Sequence, residues 1–253
     1  MIDIHSHILP GIDDGSKNID MTLEMLRQAV EDGTKKIIAT PHFCREYAEE
    51  PYENVKELVK KLNILIKSEN LNIDVYHGQE IYYTHELLEN LKSGEIGSLN
   101  DTKYLLIELP MHKFDEEVFD VFYELRVLGY FVVLAHPERY SQIIKEPSYI
   151  NRFIEEEVLF QMNAGSILGN FGKDVKKTSE ILLNNNIYNF VGSDAHNIKS
   201  RNTKMKQAFN LIEANYRQII EDSSIDLIEN KDVEFIGEKI KEKKLFFSFM
   251  RKR

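Results

Sequence analysis

The chain has 253 residues, 42 acidic and 32 basic side chains, a formal charge of −10, one cysteine and no tryptophan. With 42% hydrophobic and 29% charged residues it has a globular composition, of a length that suits one large α/β domain or two small ones. The lone Cys44 excludes an internal disulfide and fits a reducing cytoplasm. No apolar run reaches the ~20 residues of a membrane-spanning helix, and the acidic balance argues against a nucleic-acid partner.

The start, Met1-Ile-Asp-Ile-His-Ser-His7, carries an acid and two histidines where a signal peptide needs a basic segment and an apolar core. From there short β-rich runs alternate with helical patterns. The strand candidates are Ile2–Ile4, Lys36–Thr40, Ile73–Tyr76, Tyr104–Leu109, Phe131–Ala135, Val158–Met162 and Tyr188–Val191. Between them Ile19, Leu23, Leu26 and Val30 fall on one helical face, with Gly33 as the stop. Val55 to Leu65, Val118 to Leu125 before Gly129, and Val175 to Leu183 repeat the pattern, and Met205 to Ile228 reads as a helix outside the sheet. Such an alternation predicts an α/β fold, a distorted (β/α)7 TIM-like barrel. The structural competitor, an open doubly wound sheet, lacks its glycine-rich phosphate loop here. Residues 1–238 form the expected single domain. Residues 239–253 hold seven basic side chains against Glu242, so a +6 tail follows a body of −16, with Leu245, Phe246, Phe247 and Phe249 among the charges. The simplest reading of that tail is a solvated end that docks on an acidic body; the alternative is peripheral contact with an anionic membrane surface.

Six of the seven strand candidates end in a group that can hold a metal ion. His5 and His7 follow the first, two positions apart, so that both point the same way. His42 follows the second in Thr-Pro-His, Glu80 the third, and Glu108 closes the fourth. His136 follows the fifth, and Asp194 and His196 follow the seventh in Gly-Ser-Asp-Ala-His. Only the sixth, ending at Asn163, supplies none. Asp14, from the Gly-Ile-Asp-Asp-Gly turn, completes five histidines and four carboxylates, although an Asp-Gly turn is the plain alternative for Asp13 and Asp14. In a barrel these ends meet at the C-terminal rim of the strands. Imidazole mixed with carboxylate, and no thiolate, suits two or three ions of Zn²⁺, Mn²⁺ or Fe²⁺. Glu108 is the sharpest single signal, because an unpaired carboxylate among Leu and Ile costs several kcal/mol.

These motifs (His5-Ser-His7, Thr40-Pro-His42, Glu80, Glu108, His136-Pro, Ser193-Asp-Ala-His196) resemble the metal motifs of the PHP (polymerase and histidinol phosphatase) superfamily. More narrowly, His5-Ser-His-Ile-Leu-Pro-Gly-Ile-Asp-Asp-Gly15, His136-Pro-Glu-Arg-Tyr140 and Asn163-Ala-Gly-Ser166 resemble the CpsB/YwqE family of manganese-dependent bacterial protein-tyrosine phosphatases. The resemblance spans roughly residues 1–215. It implies a trinuclear site on the nine groups above, phosphate contacts by Arg139 and Arg201, and manganese as the metal. It also implies a membrane-associated bacterial tyrosine kinase as substrate, in the control of capsule or exopolysaccharide synthesis.

Hydrolysis of a phosphate monoester then proceeds from a metal-bridging hydroxide, since coordination lowers the pKa of water towards ~7. Cysteine chemistry is excluded separately, because it needs an arginine six positions past the nucleophile and Glu50 stands there after Cys44. Residues 43–54, with Phe43, Arg45, Tyr47 and Tyr52, are the expected wall for a phosphotyrosine ring. His77, His85 and His112 are read as solvated or hydrogen-bonded. Two rivals remain: another PHP phosphoesterase, such as a histidinol-phosphate phosphatase or phosphodiesterase, and a non-catalytic kinase-binding module.

Overall fold

The computed structural model describes residues 1–45 and 47–242. In chain order it opens with β1 (Ile2–Ser6), α1 (Ile19–Asp32), β2 (Lys36–Ala39), β3 (His42–Cys44), β4 (Ala48–Glu49) and α2 (Tyr52–Ser68). Next come β5 (Asp74–His77), β6 (Glu80–Tyr82), α3 (Leu87–Ser93), β7 (Tyr104–Glu108), α4 (Glu117–Val127) and β8 (Phe131–Ala135). The chain continues through α5 (Ser141–Lys145), α6 (Asn151–Glu155), β9 (Leu159–Asn163), α7 (Ala164–Leu168) and α8 (Lys173–Asn184). It closes with β10 (Phe190–Gly192), α9 (Lys206–Phe209) and α10 (Ala214–Ile228).

Local chemistry accounts for the long helices. The Asn18 side chain accepts from Met21 N and starts α1, and Gly33, at φ 100°, ends it in the left-handed conformation that glycine adopts without strain. On α2, Val55, Val59, Leu62 and Ile66 recur on one face and are all buried. The segment read as one helix from Met205 to Ile228 is two. The first stops at Asn210, and the Glu213 carboxylate accepts from Asn215 N and Tyr216 N to start α10 afresh.

Two expected strands are interrupted. β2 stops at Ala39 and β3 resumes at His42, since Pro41 has no N–H to continue a ladder. β5 stops at His77 and β6 resumes at Glu80. Ala39 pairs with His77 and His42 pairs with Glu80, so the two breaks lie side by side. The strands therefore form a three-stranded sheet, β1-β2-β5, and a seven-stranded one, β10-β9-β8-β7-β6-β3-β4, parallel throughout except for β3 with β4. β1 also lies against β10: Asp194 N donates to His5 O at 2.8 Å, and His7 N donates to Ala195 O at 2.9 Å. Buried Asp3 ties the same pair, its Oδ1 accepting from Ser193 N at 2.9 Å.

One apolar cluster joins Ile4 of β1, Ile38 of β2, Leu106 of β7, Val133 of β8, Leu159 of β9 and Phe190 of β10, closed below by Leu227 and Ile228 of α10. Two further clusters pack the helices on the other face of the strands, one under α1 and α2 and one under α4 to α10. These layers make the chain an α/β fold built on parallel strands. Among the described residues no helix is long and apolar enough to cross a membrane. At the start of the expected tail, Lys239 pairs with Glu155 at 2.7 Å, and Ile240 N and O bond the Asn151 side chain at 2.8 Å each. The rest of the basic, phenylalanine-rich stretch, residues 243–253, lies outside the described residues.

Candidate metal centre and active site

The strand ends bring all eleven expected site residues to one place. Around its deepest point are His5 Nε2, His7 Nε2, Glu80 Oε2 and Asp194 Oδ1, every residue essentially inaccessible to solvent. His5 Nε2 is 3.2 Å from His7 Nε2 and 3.2 Å from Glu80 Oε2, while Asp194 Oδ1 is 3.5 Å from His7 and 3.7 Å from His5. A second group joins His7, Asp14, His42 and His196, with Asp14 Oδ1 3.5 Å from His42 Nε2 and 3.2 Å from His196 Nε2. His42, Glu80 and Glu108 make a third. His136 belongs to none of the three, yet its Nε2 stands 2.9 Å from Glu80 Oε1 and 3.6 Å from Glu108 Oε1.

The donors fit a divalent cation. Glu80 Oε2 has three imidazole nitrogens at 3.0–3.2 Å but makes a hydrogen bond with none of them. Metal bonds of about 2.0–2.2 Å place ligands about 2.8–3.1 Å apart at a right angle and about 3.3–3.6 Å apart at the tetrahedral angle, and the donors here stand 3.0–3.7 Å from one another. The far sides of the rings are held as metal-bound histidines usually are. His5 Nδ1 meets Gln161 Oε1 at 2.9 Å, His7 Nδ1 meets Asp13 Oδ2 at 2.8 Å, and His196 Nδ1 meets Asp194 O at 3.0 Å. Each bond leaves the ring's Nε2 turned to the common centre. The backbone is committed as well: His136 (φ 33°) and Asp194 (φ 50°) are left-handed non-glycine residues, a conformation costing of order 1–3 kcal/mol. Gly192 lets β10 approach β1, because a Cβ there would lie 2.5 Å from His5 Cβ.

With protein groups alone the charges are strained. Burial, and then the neighbouring Glu80 charge, pushes Glu108 up to about 9, and burial reinforced by Arg139 pulls His136 down to about 4. Burial opposes ionisation of Glu80 and Asp194 too, but the surrounding cationic groups prevail and hold both well below the usual carboxylate range. Divalent cations bound here would reverse this balance at Glu108, since they favour the ionised carboxylate.

The opening is a cavity of about 310 Å³, reached past Tyr47, Tyr82, Met111, Arg139 and Arg201. Arg139 Nη1 and Arg201 Nη2 both rest on Asp194, at 3.1 and 2.7 Å. Of the four residues expected to wall a phosphotyrosine ring, only Tyr47 lines the cavity, its ring 6.2 Å from that of His42. Phe43 is buried in the core, the Tyr52 hydroxyl is spent on Ser98 O and Asp101, and Arg45 turns to Asn90. Cys44 does line the cavity, but burial, and then the Glu108 charge, raises its thiol above the usual range and disfavours the thiolate. His77, His85 and His112 are occupied elsewhere, by Asp101, Glu117 and Ser141.

Sequence reasoning passed over the residues that orient the ligands. Asp13 accepts from both His7 and His42 N, whereas its neighbour Asp14 enters the site. On β9, Gln161 Nε2 donates to Asn163 Oδ1 at 2.9 Å, and Asn163 Nδ2 donates to Asp194 Oδ2 at 2.6 Å. Buried Glu138 accepts from Asn163 N and Tyr188 OH and steadies that corner. The Asn163-Ala-Gly-Ser166 motif pointed to this place, but neutral amides carry no charge signature.

An α/β fold whose parallel strands end in such a constellation defines a class, the metal-assisted hydrolases of phosphate and related esters. The chain belongs to the family described as "Capsular polysaccharide synthesis, CpsB/CapC", whose profile matches residues 1–231. It is 41% identical over 217 residues to tyrosine-protein phosphatase YwqE of Bacillus subtilis, covering 85% of each chain. It is 37% identical over 210 residues to the Staphylococcus aureus protein named putative tyrosine-protein phosphatase CapC, covering 83% of this chain and 82% of that one. A solved structure described under YwqE of Bacillus subtilis and CpsB of Streptococcus pneumoniae, "unique metal-dependent tyrosine phosphatases", superposes with a TM-score of 0.91 at 37% identity, covering 96% of this chain and 100% of that one. The fold is shared more distantly with histidinol phosphate phosphatase of Lactococcus lactis, at a TM-score of 0.54 and 13% identity, over 88% of this chain and 93% of that one.

Proposed function

We propose that the chain is a metal-dependent protein-tyrosine phosphatase. The observation that supports this most is the convergence of imidazoles and carboxylates beneath two arginines, in a family whose relatives carry that name. His5, His7, Asp14, His42, Glu80, Glu108, His136, Asp194 and His196 would hold two or three divalent ions, manganese foremost, with iron or zinc served by the same donors. When bound, the ions supply positive charge for phosphoryl oxygens and lower the pKa of water towards ~7.

The chain's own residues do the rest. Asp194 holds Arg139 and Arg201 at the mouth, where their planar N–H arrays match the oxygens of a phosphate dianion. Four carboxylates bring −4 and three divalent ions +6, so the pocket is +2 before the two arginines. Tyr47 and Met111 offer ring and thioether surface to the phenyl group of the substrate. Tyrosine, with a pKa near ~10, leaves more readily than a serine alkoxide and asks less of a general acid.

Several finer points belong to the same reading. The two sheets are one distorted seven-member barrel, supported by the β1 to β10 bonds and the cluster shared by six strands, and residues 1–238 are its single domain. The substrate is a phosphotyrosine protein, a membrane-associated tyrosine kinase of capsule or exopolysaccharide synthesis, met in the cytoplasm, with the basic tail available for membrane contact. The test is an assay of phosphotyrosine peptide, phosphoserine peptide and histidinol phosphate, each with Mn²⁺ and with chelator. Phosphotyrosine should be preferred and chelation should abolish turnover. Activity that survives complete metal removal would overturn the mechanism, and preference for histidinol phosphate would overturn the substrate.

A further inference from the structure

Arg201 belongs to two cavities. Besides the metal-lined one, it walls a neighbouring cavity of about 390 Å³ together with Asn170, Phe171, Asn202, Lys204 and Gln207. An adjoining recess on Asn170, Phe171, Arg201 and Asn202 adds Lys199. Phe171 is the partition, its ring centre 4.8 Å from the Arg139 guanidinium carbon and 5.9 Å from that of Arg201.

Arg201 is paired with Asp194, but the lysines beside it are not matched by a carboxylate of the lining. Asp32, the one carboxylate in the lining, is spent on Met205 N and Lys206 N at 2.7 Å each. Among the described residues neither Lys199 nor Lys204 forms an ion pair, and both are exposed. On a body that carries −16, a recess with two unpaired lysines beside the metal-lined cavity suits an anionic occupant. Arg201, common to both cavities, fixes where that occupant sits: one guanidinium away from the phosphate being cleaved. The Asn170 amide and the Ser200 hydroxyl suit oxygen acceptors, while the Asn202 side chain is spent on Lys199 O and Lys204 N and holds the turn that carries both lysines.

We propose that this cavity is a second anion subsite, which takes the acidic group of a residue flanking the phosphotyrosine, so that the enzyme favours segments of clustered negative charge. The proposal rests on the phosphatase reading and deepens it. The shared chemistry is an oxyanion, a second phosphoryl group or a carboxylate, and the two sources are separated by the peptides used.

The experiment compares three peptide sets with the Mn²⁺-loaded full chain. One has a single phosphotyrosine with neutral flanks, one has glutamates in the flanks, and one has a second phosphotyrosine placed one to four residues away on either side. Acidic peptides should show kcat/KM higher by about five- to twentyfold, carried by KM. The double variant Lys199→Gln/Lys204→Gln should remove that advantage and leave hydrolysis of 4-nitrophenyl phosphate unchanged. A gain confined to the doubly phosphorylated set identifies the ligand as phosphoryl, and a gain with glutamate as well identifies a general oxyanion. Equal kcat/KM for all sets, or an advantage that survives in the double variant, would overturn the proposal. Failure of the unmodified chain to hydrolyse even 4-nitrophenyl phosphate would instead overturn the phosphatase reading, and the subsite with it.

Discussion

β1, β7, β8 and β10 present imidazole or carboxylate at or just past their ends, β3 and β6 do so at their first residues, and β9 presents amides. The contrast is one of function as much as of residue type. The charged groups face the common centre, while Gln161 and Asn163 face the ligands, joining His5 to Asp194 through two side chains. A site crowded with like charges is kept in order by neutral groups that accept on one side and donate on the other. An acid in place of Gln161 would lack the donor that Asn163 requires.

The sharpest way to break the comparison is to remove a group from each kind of strand. His136→Ala removes an imidazole that touches both Glu80 and Glu108, and turnover should fall by about a thousandfold or more, with the circular dichroism spectrum unchanged. Gln161→Leu keeps every charged group yet frees His5 and Asn163, so the metal dissociation constant should rise about 10- to 100-fold, read by metal titration. Should the leucine variant bind metal like the unmodified chain, β9 would be a mere filler.

Asp3 tests the seam between β1 and β10. Burial raises its pKa from 3.8 to about 6, so the folded chain holds a proton that the unfolded chain releases. Its contribution is complete below pH 3.8 and is lost as pH rises through about 6, by roughly 3 kcal/mol in all. Urea unfolding of Asp3→Asn, compared with the unmodified chain, should show a stability difference that moves in favour of the variant by about 2 kcal/mol from pH 4 to 7. The smallest effect belongs to Cys44→Ser. The thiol lines the cavity without reacting, and kcat/KM should stay within about twofold.

The charged half of this contrast was legible in the sequence and the amide half was not. A histidine or acid closing an apolar strand conflicts with its surroundings, and that conflict is visible without coordinates, most clearly at Glu108. Gln161 and Asn163 raise no such conflict, since a buried amide with partners is ordinary. Asp14 is assigned to the site with an Asp-Gly turn as its plain alternative, and the orienting bond between Asp13 and His7 leaves no trace in the sequence. The long helices were readable from their periodicity. Helices of five residues, α5 to α7, span too few turns to show one, and the break at Asn210 rests on a carboxylate cap that apolar spacing does not record.

The paired interruptions at Thr40–Pro41 and Gly78–Gln79 carry a consequence for how this framework can change. His42 and Glu80 resume their strands as direct partners, with Glu80 N bonded to Pro41 O across the gap at 3.0 Å. A one-residue insertion in either gap alone would reverse the facing of everything after it and leave its neighbour in place. Only a matched change in both gaps would keep His42 opposite Glu80.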